Sequence, residues 1–379
     1  MAELPEELLS HTCSYLHISA ELQASPDDRI KLATLASVSL FLEAVDHLHI
    51  STKLKHDLQA GLREGLGDAE RALLLWLCTK LEIWRTYCPF EVDESLVFAV
   101  IREATSNQSL GGGPRPRPLQ HLREVSINET ESSRDLADLA DVLMLPALVT
   151  FRGRMLRCDE CTALPESLQS KVKRIYLNHS LLDGMGSAKV LIACPDLETL
   201  SVQWGGSIVG KCWVEYDKMG EALRQHGTKL KNLRLDPEED LMPDDDPDVC
   251  PPLGSLKALT SLRLFSAPHA ALFGGCEVTR LNSPEWLRET LPVSLRTLEF
   301  PDANDEEAPD LYERLLEVMR DKQFEELSTI RVNRSVPFTE NAANDVGWSD
   351  SESSAVWGGS ESKHDWVVLK RDGEQGKAI

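Results

Sequence analysis

The chain has 379 residues, of which 42% are apolar, and its 62 acidic residues against 40 basic ones give a net charge of −22. That balance excludes an extended phosphate-tracking surface, because DNA and RNA binding rests on lysine and arginine neutralising phosphates. The apolar content suffices for a core without staples, but the length exceeds one ordinary core unless the chain is a repeat array. The N-terminus, Met1-Ala-Glu-Leu-Pro-Glu-Glu7, is acidic where a leader is basic. The longest apolar run, residues 72–78, falls far short of the about 20 residues that span a bilayer. Nine cysteines lie without framework spacing, and an odd number fits free thiols in a reducing compartment. A soluble protein of the cytosol or nucleus is expected.

Helical patterns come first along the chain. Pro5 starts a helix on which Leu8, Leu9, Thr12 and Leu16 form one stripe. Further helices are predicted over residues 30–45 and 69–84, the second with Leu73, Leu74, Leu77 and Leu81 on one face. Residues 1–50 thus read as a helical segment, and 51–118 as a helical linker or cap with room for a degenerate first repeat. The stretch Leu4-Pro5-Glu-Glu-Leu8-Leu9, followed by Thr12 and Tyr15-Leu16, resembles the opening of an F-box. Val38-Ser-Leu-Phe41, within residues 32–45, is similar to the last helix of that family. The resemblance implies docking on a Skp-type adaptor of a cullin-RING ubiquitin ligase through Leu4, Pro5, Leu8, Leu9, Thr12, Leu16, Val38 and Phe41. Thr12 stands where the family carries Ile or Val, and residues 18–29 form a longer link than usual. Read without the resemblance, these helices cap the first repeat.

A short phrase then recurs: an apolar residue, two variable ones, an apolar residue, one variable, an apolar residue. Its copies are Leu122-Arg-Glu-Val125-Ser-Ile127, Val172-Lys-Arg-Ile175-Tyr-Leu177, Leu197-Glu-Thr-Leu200-Ser-Val202 and Leu230-Lys-Asn-Leu233-Arg-Leu235. Leu259-Thr-Ser-Leu262-Arg-Leu264, Leu295-Arg-Thr-Leu298-Glu-Phe300 and Leu327-Ser-Thr-Ile330-Arg-Val332 follow, with a degenerate copy at Leu148-Val-Thr-Phe151. The central positions Val125, Phe151, Ile175, Leu200, Leu233, Leu262, Leu298 and Ile330 are separated by 26, 24, 25, 33, 29, 36 and 32 residues. Each phrase alternates as a half-buried strand should, and helices are predicted between them over 134–145, 187–193, 216–226, 284–290 and 311–324. No unit of this size buries its apolar face alone, so consecutive strands must pair and share a core.

The phrase resembles the leucine-rich-repeat family over residues 119–335, although its asparagine-ladder position is mostly missing. The resemblance implies an α/β solenoid, a curved parallel β-sheet with outer helices, preceded by the F-box-like helices. An F-box ahead of divergent leucine-rich repeats is an architecture familiar in fungi. It implies a substrate-recognition subunit of a ubiquitin ligase; a ligase-independent interaction scaffold is the alternative.

Two stretches break the pattern. Residues 237–252 hold seven acidic residues, five prolines and no basic residue, and are expected as a solvated loop between repeats. Residues 336–379 turn to Ser, Gly, Asn and Asp and are expected as a disordered acidic tail. Within the tail, Asp365-Trp366-Val-Val-Leu369 resembles the motif by which partners add a strand to autophagy ubiquitin-like modifiers, with Trp366 and Leu369 as its anchors. A last strand packing on the array is the other reading.

Motifs for chemistry are sparse. Cys158-Asp-Glu-Cys161 lacks the second pair that completes a zinc site. Residues 111–118 carry glycines and arginines but not the ending of a phosphate loop, no Gly-x-Ser-x-Gly elbow occurs, and Asp244-Asp-Asp246 lacks the spaced ligands of a calcium loop. No catalytic residue, metal or cofactor is assigned, and an enzyme is not expected. Recognition is expected instead on the side chains between the buried positions, which alternate to the opposite face. These are Arg174, Tyr176, Asn178, Thr199, Ser201, Gln203, Asn232, Arg234 and Asp236, then Ser261, Arg263, Phe265, Thr297, Glu299, Thr329, Arg331 and Asn333. Arginine forks and aromatic anchors single out Arg174, Tyr176, Gln203, Arg234, Arg263, Phe265 and Arg331 for an acidic or phosphorylated protein cargo. The alternative for the arginines is cross-strand pairing with Glu299 and Asp236.

Overall fold

The computed structural model describes residues 35–87, 95–106, 118–128, 134–205, 214–236, 251–274, 286–301, 308–333, 343, 347–350 and 366–371. The chain divides into two units, residues 1–128 with 138–150, and residues 129–137 with 151–379. Among the described residues no helix is long and apolar enough to cross a membrane.

In the first unit, α1 (Leu35–Asp46) packs against α2 (Thr52–Glu64), α2 against α3 (Gly67–Leu77), and α3 against α4 (Leu96–Ser106). They bury Val45, Leu54, Leu58, Leu62, Leu73, Val97, Phe98 and Ile101, side chains at helical spacing on inward faces. The ends are set by local chemistry. The Ser51 hydroxyl accepts a hydrogen bond from Leu54 N at the start of α2, and Gly65 ends that helix at φ 71°, a conformation open to glycine. Asp68 on α3 accepts from Leu96 N at 2.6 Å, so one carboxylate caps α4 and fastens two helices together.

The helix expected over residues 69–84 ends early, at Leu77. Residues 83–87 instead form β1 (Ile83–Tyr87), parallel to β2 (Glu124–Asn128) with Trp84 opposite Val125. Leu81-Glu-Ile-Trp84-Arg-Thr86 is a degenerate copy of the repeated phrase, with Thr86 at its last apolar position, and its Leu81 also fits the helical period of the preceding leucines, which hid it. Trp84 lies edge-on to Phe98 of α4, with ring centroids 6.4 Å apart. The helix expected over 134–145 is also shorter. It is split into β3 (Arg134–Asp135), a 3-10 turn at Leu136–Leu139, and α5 (Ala140–Leu143).

The second unit is a mixed α/β structure built on a large, mostly parallel sheet. Its strand order is β4 (Thr150–Arg154), β6 (Arg174–Asn178), β8 (Thr199–Gln203), β9 (Asn232–Asp236), β10 (Leu264–Ser266), β11 (Thr297–Phe300), β12 (Thr329–Asn333), β14 (Trp366–Arg371) and β13 (Trp348–Asp350). β3, β5 (Leu156–Cys158) and β7 (Leu181–Leu182) make a small parallel sheet of their own. Pairing from β6 to β12 is parallel, with Ile175, Leu200, Leu233, Phe265, Leu298 and Ile330 in one row. None of the six is more than 1% exposed. Between strands lie α6 (Gly184–Ala193), α7 (Tyr216–His226), α8 (His269–Phe273), α9 (Trp286–Thr290) and α10 (Ala308–Arg320), which bury Val190, Met219, Leu223, Leu287 and Leu315. Burying one such side chain contributes roughly 1.5–3 kcal/mol, so the aligned rows and helix faces supply the main driving force. Close approach needs glycine at Gly186 and Gly220. A Cβ there would sit 1.8 Å from the carbonyl oxygens of Cys158 and Leu253 respectively.

The register corrects one strand. The phrase expected to centre on Leu262 is instead Leu262-Arg-Leu-Phe265-Ser-Ala267, shifted by three residues, with Phe265 in the buried row and Leu264 half-buried on the other face. Central positions from Leu200 to Ile330 are then 33, 32, 33 and 32 residues apart.

The tail is corrected as well. Part of residues 336–379, expected as a disordered tail with a last strand as the other reading of Trp366 to Leu369, returns as β13 and β14, the latter antiparallel to β12 with Leu369 opposite Ile330. Val368 and Leu369 are each 1% exposed, so the isolated apolar run in a polar stretch finds its burial at the edge of the sheet. Residues 237–250 of the acidic stretch lie outside the described residues.

Candidate functional site

The polar face of the parallel sheet is the surface the strands hold in common. Side chains alternate along each strand, so with one row buried the next row faces outward. The strand register puts Tyr176, Ser201, Arg234, Ser266, Glu299 and Arg331 in a single outward row. Arg152 of β4 joins it, its guanidinium 4.2 Å from the centre of the Tyr176 ring.

Glu299 is the electrostatic centre of the row. Its side chain is only 2% exposed although it sits on the polar face, because two arginines cover it: Arg331 at 2.7 Å and Arg234 at 3.8 Å. Arg234 reaches across β10, where the small Ser266 leaves room. Burial pushes the Arg234 guanidinium below its ordinary range and Arg331 adds to this, while Glu299 opposes both. The group stays charged, since an arginine has more than enough basicity to spare. Two arginines thus share one buried carboxylate, a self-contained lock in the second half of the face.

The first half is different. Arg152 and Arg154 on β4 and Arg174 on β6 are exposed, Tyr176 and Asn178 are half-buried, and on β8 Ser201 and Gln203 are half-buried. The Gln203 Oε1 is buried without a hydrogen-bond partner. Asn232 Nδ2 donates to Thr199 Oγ1 at 3.1 Å, joining β9 to β8 at the strand starts.

A charged ladder runs along the entry edge. Lys173 and Lys231 bond the two oxygens of Glu198 at 2.9 and 2.7 Å and line a groove with Asp196, Lys229 and Ser261. Hydrogen bonds from Lys231 and Lys173 hold the Glu198 carboxyl below its usual range. Its partners are surface lysines, so the ladder contributes little energy and serves mainly to fix register.

No protein family profile matches the chain, and no curated protein does. Among solved structures, a chain from "Crystal structure of Rad7 and Elc1 complex in yeast" matches at 13% identity. That match covers 92% of this chain and 85% of the other, with a TM-score of 0.26.

Of the residues expected at the site, Arg174, Tyr176, Gln203, Arg234 and Arg331 lie on the polar face of neighbouring strands. Phe265 does not: the three-residue shift puts it in the core, 0% exposed. Arg263 is exposed but precedes β10, at the entry edge beside Lys231, whose carbonyl accepts from Arg263 N. Arg152 and Arg154 escaped the sequence reading because the degenerate copy ending at Phe151 was not extended. With Phe151 taken as a central position, the alternation places both arginines outward. Of the residues expected to dock an adaptor, Leu4, Pro5, Leu8, Leu9, Thr12 and Leu16 lie outside the described residues, while Val38 and Phe41 are both half-buried on α1. Leu369 is buried, and the motif's strand pairs with β12 along Trp366 to Lys370 and with β13 from Leu369 onward, so its aliphatic anchor and one strand edge are already taken. The Cys158 thiol is buried and donates to Gly186 O, whereas Cys161 is exposed. Among the described residues no three His, Cys, Asp or Glu side chains gather as a metal site would require.

Proposed function

We propose that the chain is a substrate receptor of a Skp–cullin–F-box-type ubiquitin ligase, a leucine-rich-repeat solenoid whose polar face holds a protein cargo. The observation that carries this reading is the common register of six strands, which lines up six copies of one phrase and sets their polar side chains in one continuous row. Repetition of that kind builds a surface broad enough for a protein partner. The F-box resemblance of Leu4 to Leu16, and of Val38 and Phe41, supplies the adaptor end of the proposal.

In this reading the chain works inside the cell and does no chemistry. Holding a cargo lysine near a charged conjugating enzyme raises its effective concentration, and no catalytic group on this chain is needed. The test is co-purification of the full chain with a Skp-type adaptor, alongside Leu8→Asp with Leu9→Asp. Binding by the parent and loss in the double variant are expected. Failure of the parent to bind replaces the ligase receptor with a ligase-independent scaffold.

A further inference from the structure

Resting on the reading that the polar face holds cargo, we propose that its first half, over β4, β6 and β8, takes an extended acidic peptide segment. The outward positions Arg152, Arg154, Arg174, Tyr176, Asn178, Thr199, Ser201 and Gln203 include three arginines and no carboxylate, within a chain of net charge −22. Neither Arg154 nor Arg174 forms an ion pair with a described residue, in contrast to Arg234 and Arg331, which are committed to Glu299. The recognising arginines are therefore not the pair at the centre of the sheet.

Three features fix the chemistry of the occupant. Residues two apart on a strand are roughly 7 Å apart and neighbouring strands about 4.8 Å, so Arg154 and Arg174 are each rooted roughly 7–8 Å from Arg152 and about 14 Å from each other. That spacing matches carboxylates at alternate positions of an extended peptide, which recur at the same interval of roughly 7 Å. Tyr176, with Arg152 stacked on its ring, supplies a flat apolar surface between the charges. The acidic remainder of the molecule repels a long polyanion, while a short segment feels chiefly the arginines within a Debye length of about 8 Å.

The experiment measures fluorescence anisotropy of short labelled peptides with the full chain. One peptide alternates glutamate with alanine, a second has glutamine in place of glutamate, a third has phosphoserine, and a single-stranded DNA of similar length completes the set. The glutamate peptide is expected to bind at least about tenfold more tightly than the glutamine peptide, and to lose that margin in Arg152→Glu with Arg174→Glu. Stronger binding of the phosphoserine peptide also supports the proposal and assigns the anion to phosphorylation. Equal binding of glutamate and glutamine peptides overturns it, as does no measurable binding of any acidic peptide or binding of the DNA as tight as that of the best peptide. The exposed arginine variant retains adaptor co-purification if the receptor reading holds, so loss of adaptor and loss of peptide report separate failures.

Discussion

Glu299 and Arg331 meet across β11 and β12 at 2.7 Å, and the carboxylate keeps only 2% of its surface while Arg234 closes over it from the other side. A carboxylate shared by two cations in this way is costly to break and not costly to replace. Glu299→Gln leaves two guanidinium groups facing each other and should cost about 3 kcal/mol, the low end for a buried pair because both arginines keep some solvent. Replacing all three side chains, as Glu299→Leu with Arg234→Met and Arg331→Met, should recover most of that loss. Urea unfolding of the parent, the single and the triple variant checks both statements; a triple variant weaker than the single would show that the lock contributes net stability.

The register of β10 gives a second test. Phe265 is fully buried opposite Leu233 and Leu298, while Leu264 is half-buried on the polar face. Phe265→Ala should therefore cost about 3–5 kcal/mol and Leu264→Ala under about 1 kcal/mol. The reverse ranking would restore the register centred on Leu262.

That strand also shows what the sequence carried and where it misled. Leu259, Leu262 and Leu264 satisfy the phrase as well as Leu262, Phe265 and Ala267 do, because apolar residues recur every three positions there. Local pattern alone does not choose between them. Spacing does: intervals of 29 and 36 around Leu262 become 32 and 33 around Phe265. The same periodicity argument found the other strands of the array and the helices between several of them. It missed β1, whose Leu81 and Trp84 continued a helical stripe, and it left β14 open between a modifier-binding motif and a last strand on the array, because a lone apolar run in a polar stretch is decided only by the edge it covers. At the site, the arginines were visible as outward residues. Cross-strand pairing with Glu299 was the alternative reading and is what Arg234 and Arg331 do, but the pattern did not say which arginines it takes, because Glu299 reaches Arg234 over a whole intervening strand.

Strand β14 leads to the third prediction. Arg371 donates to the carbonyls of Phe324 and Glu325 at 3.0 and 2.9 Å and stacks on the Trp348 ring at 5.2 Å, so β14 is pinned at its end as well as along its length. Leu369→Ala should cost about 2–5 kcal/mol. Deleting residues 366–379 uncovers the β12 edge and should produce self-association, seen as a mass increase in sedimentation velocity. A truncated protein that stays monomeric with unchanged stability would show that the strand is dispensable. The intact chain should not bind an autophagy ubiquitin-like modifier through Trp366 and Leu369.

Two buried thiols make the fold sensitive to alkali. Burial pushes both Cys158 and Cys194 up to about 12, where an ordinary thiol titrates near about 8.5. Above the ordinary value the unfolded chain loses these protons while the folded chain keeps them, so the unfolded state binds fewer protons and stability falls as pH rises. The contribution is complete below about pH 8.5 and is lost progressively towards pH 12, at up to about 1.4 kcal/mol per pH unit for each thiol. Cys158→Ala with Cys194→Ala should give a shallower decline than the parent in denaturant unfolding between these limits, whatever its stability at neutral pH. The same burial should protect both residues from iodoacetamide in the folded protein while exposed Cys161 is alkylated, a difference that peptide mass spectrometry reads directly. Parallel pH profiles for parent and variant, or prompt labelling of Cys158, would show that the loop and helix around Gly186 open far more readily than the close packing there implies.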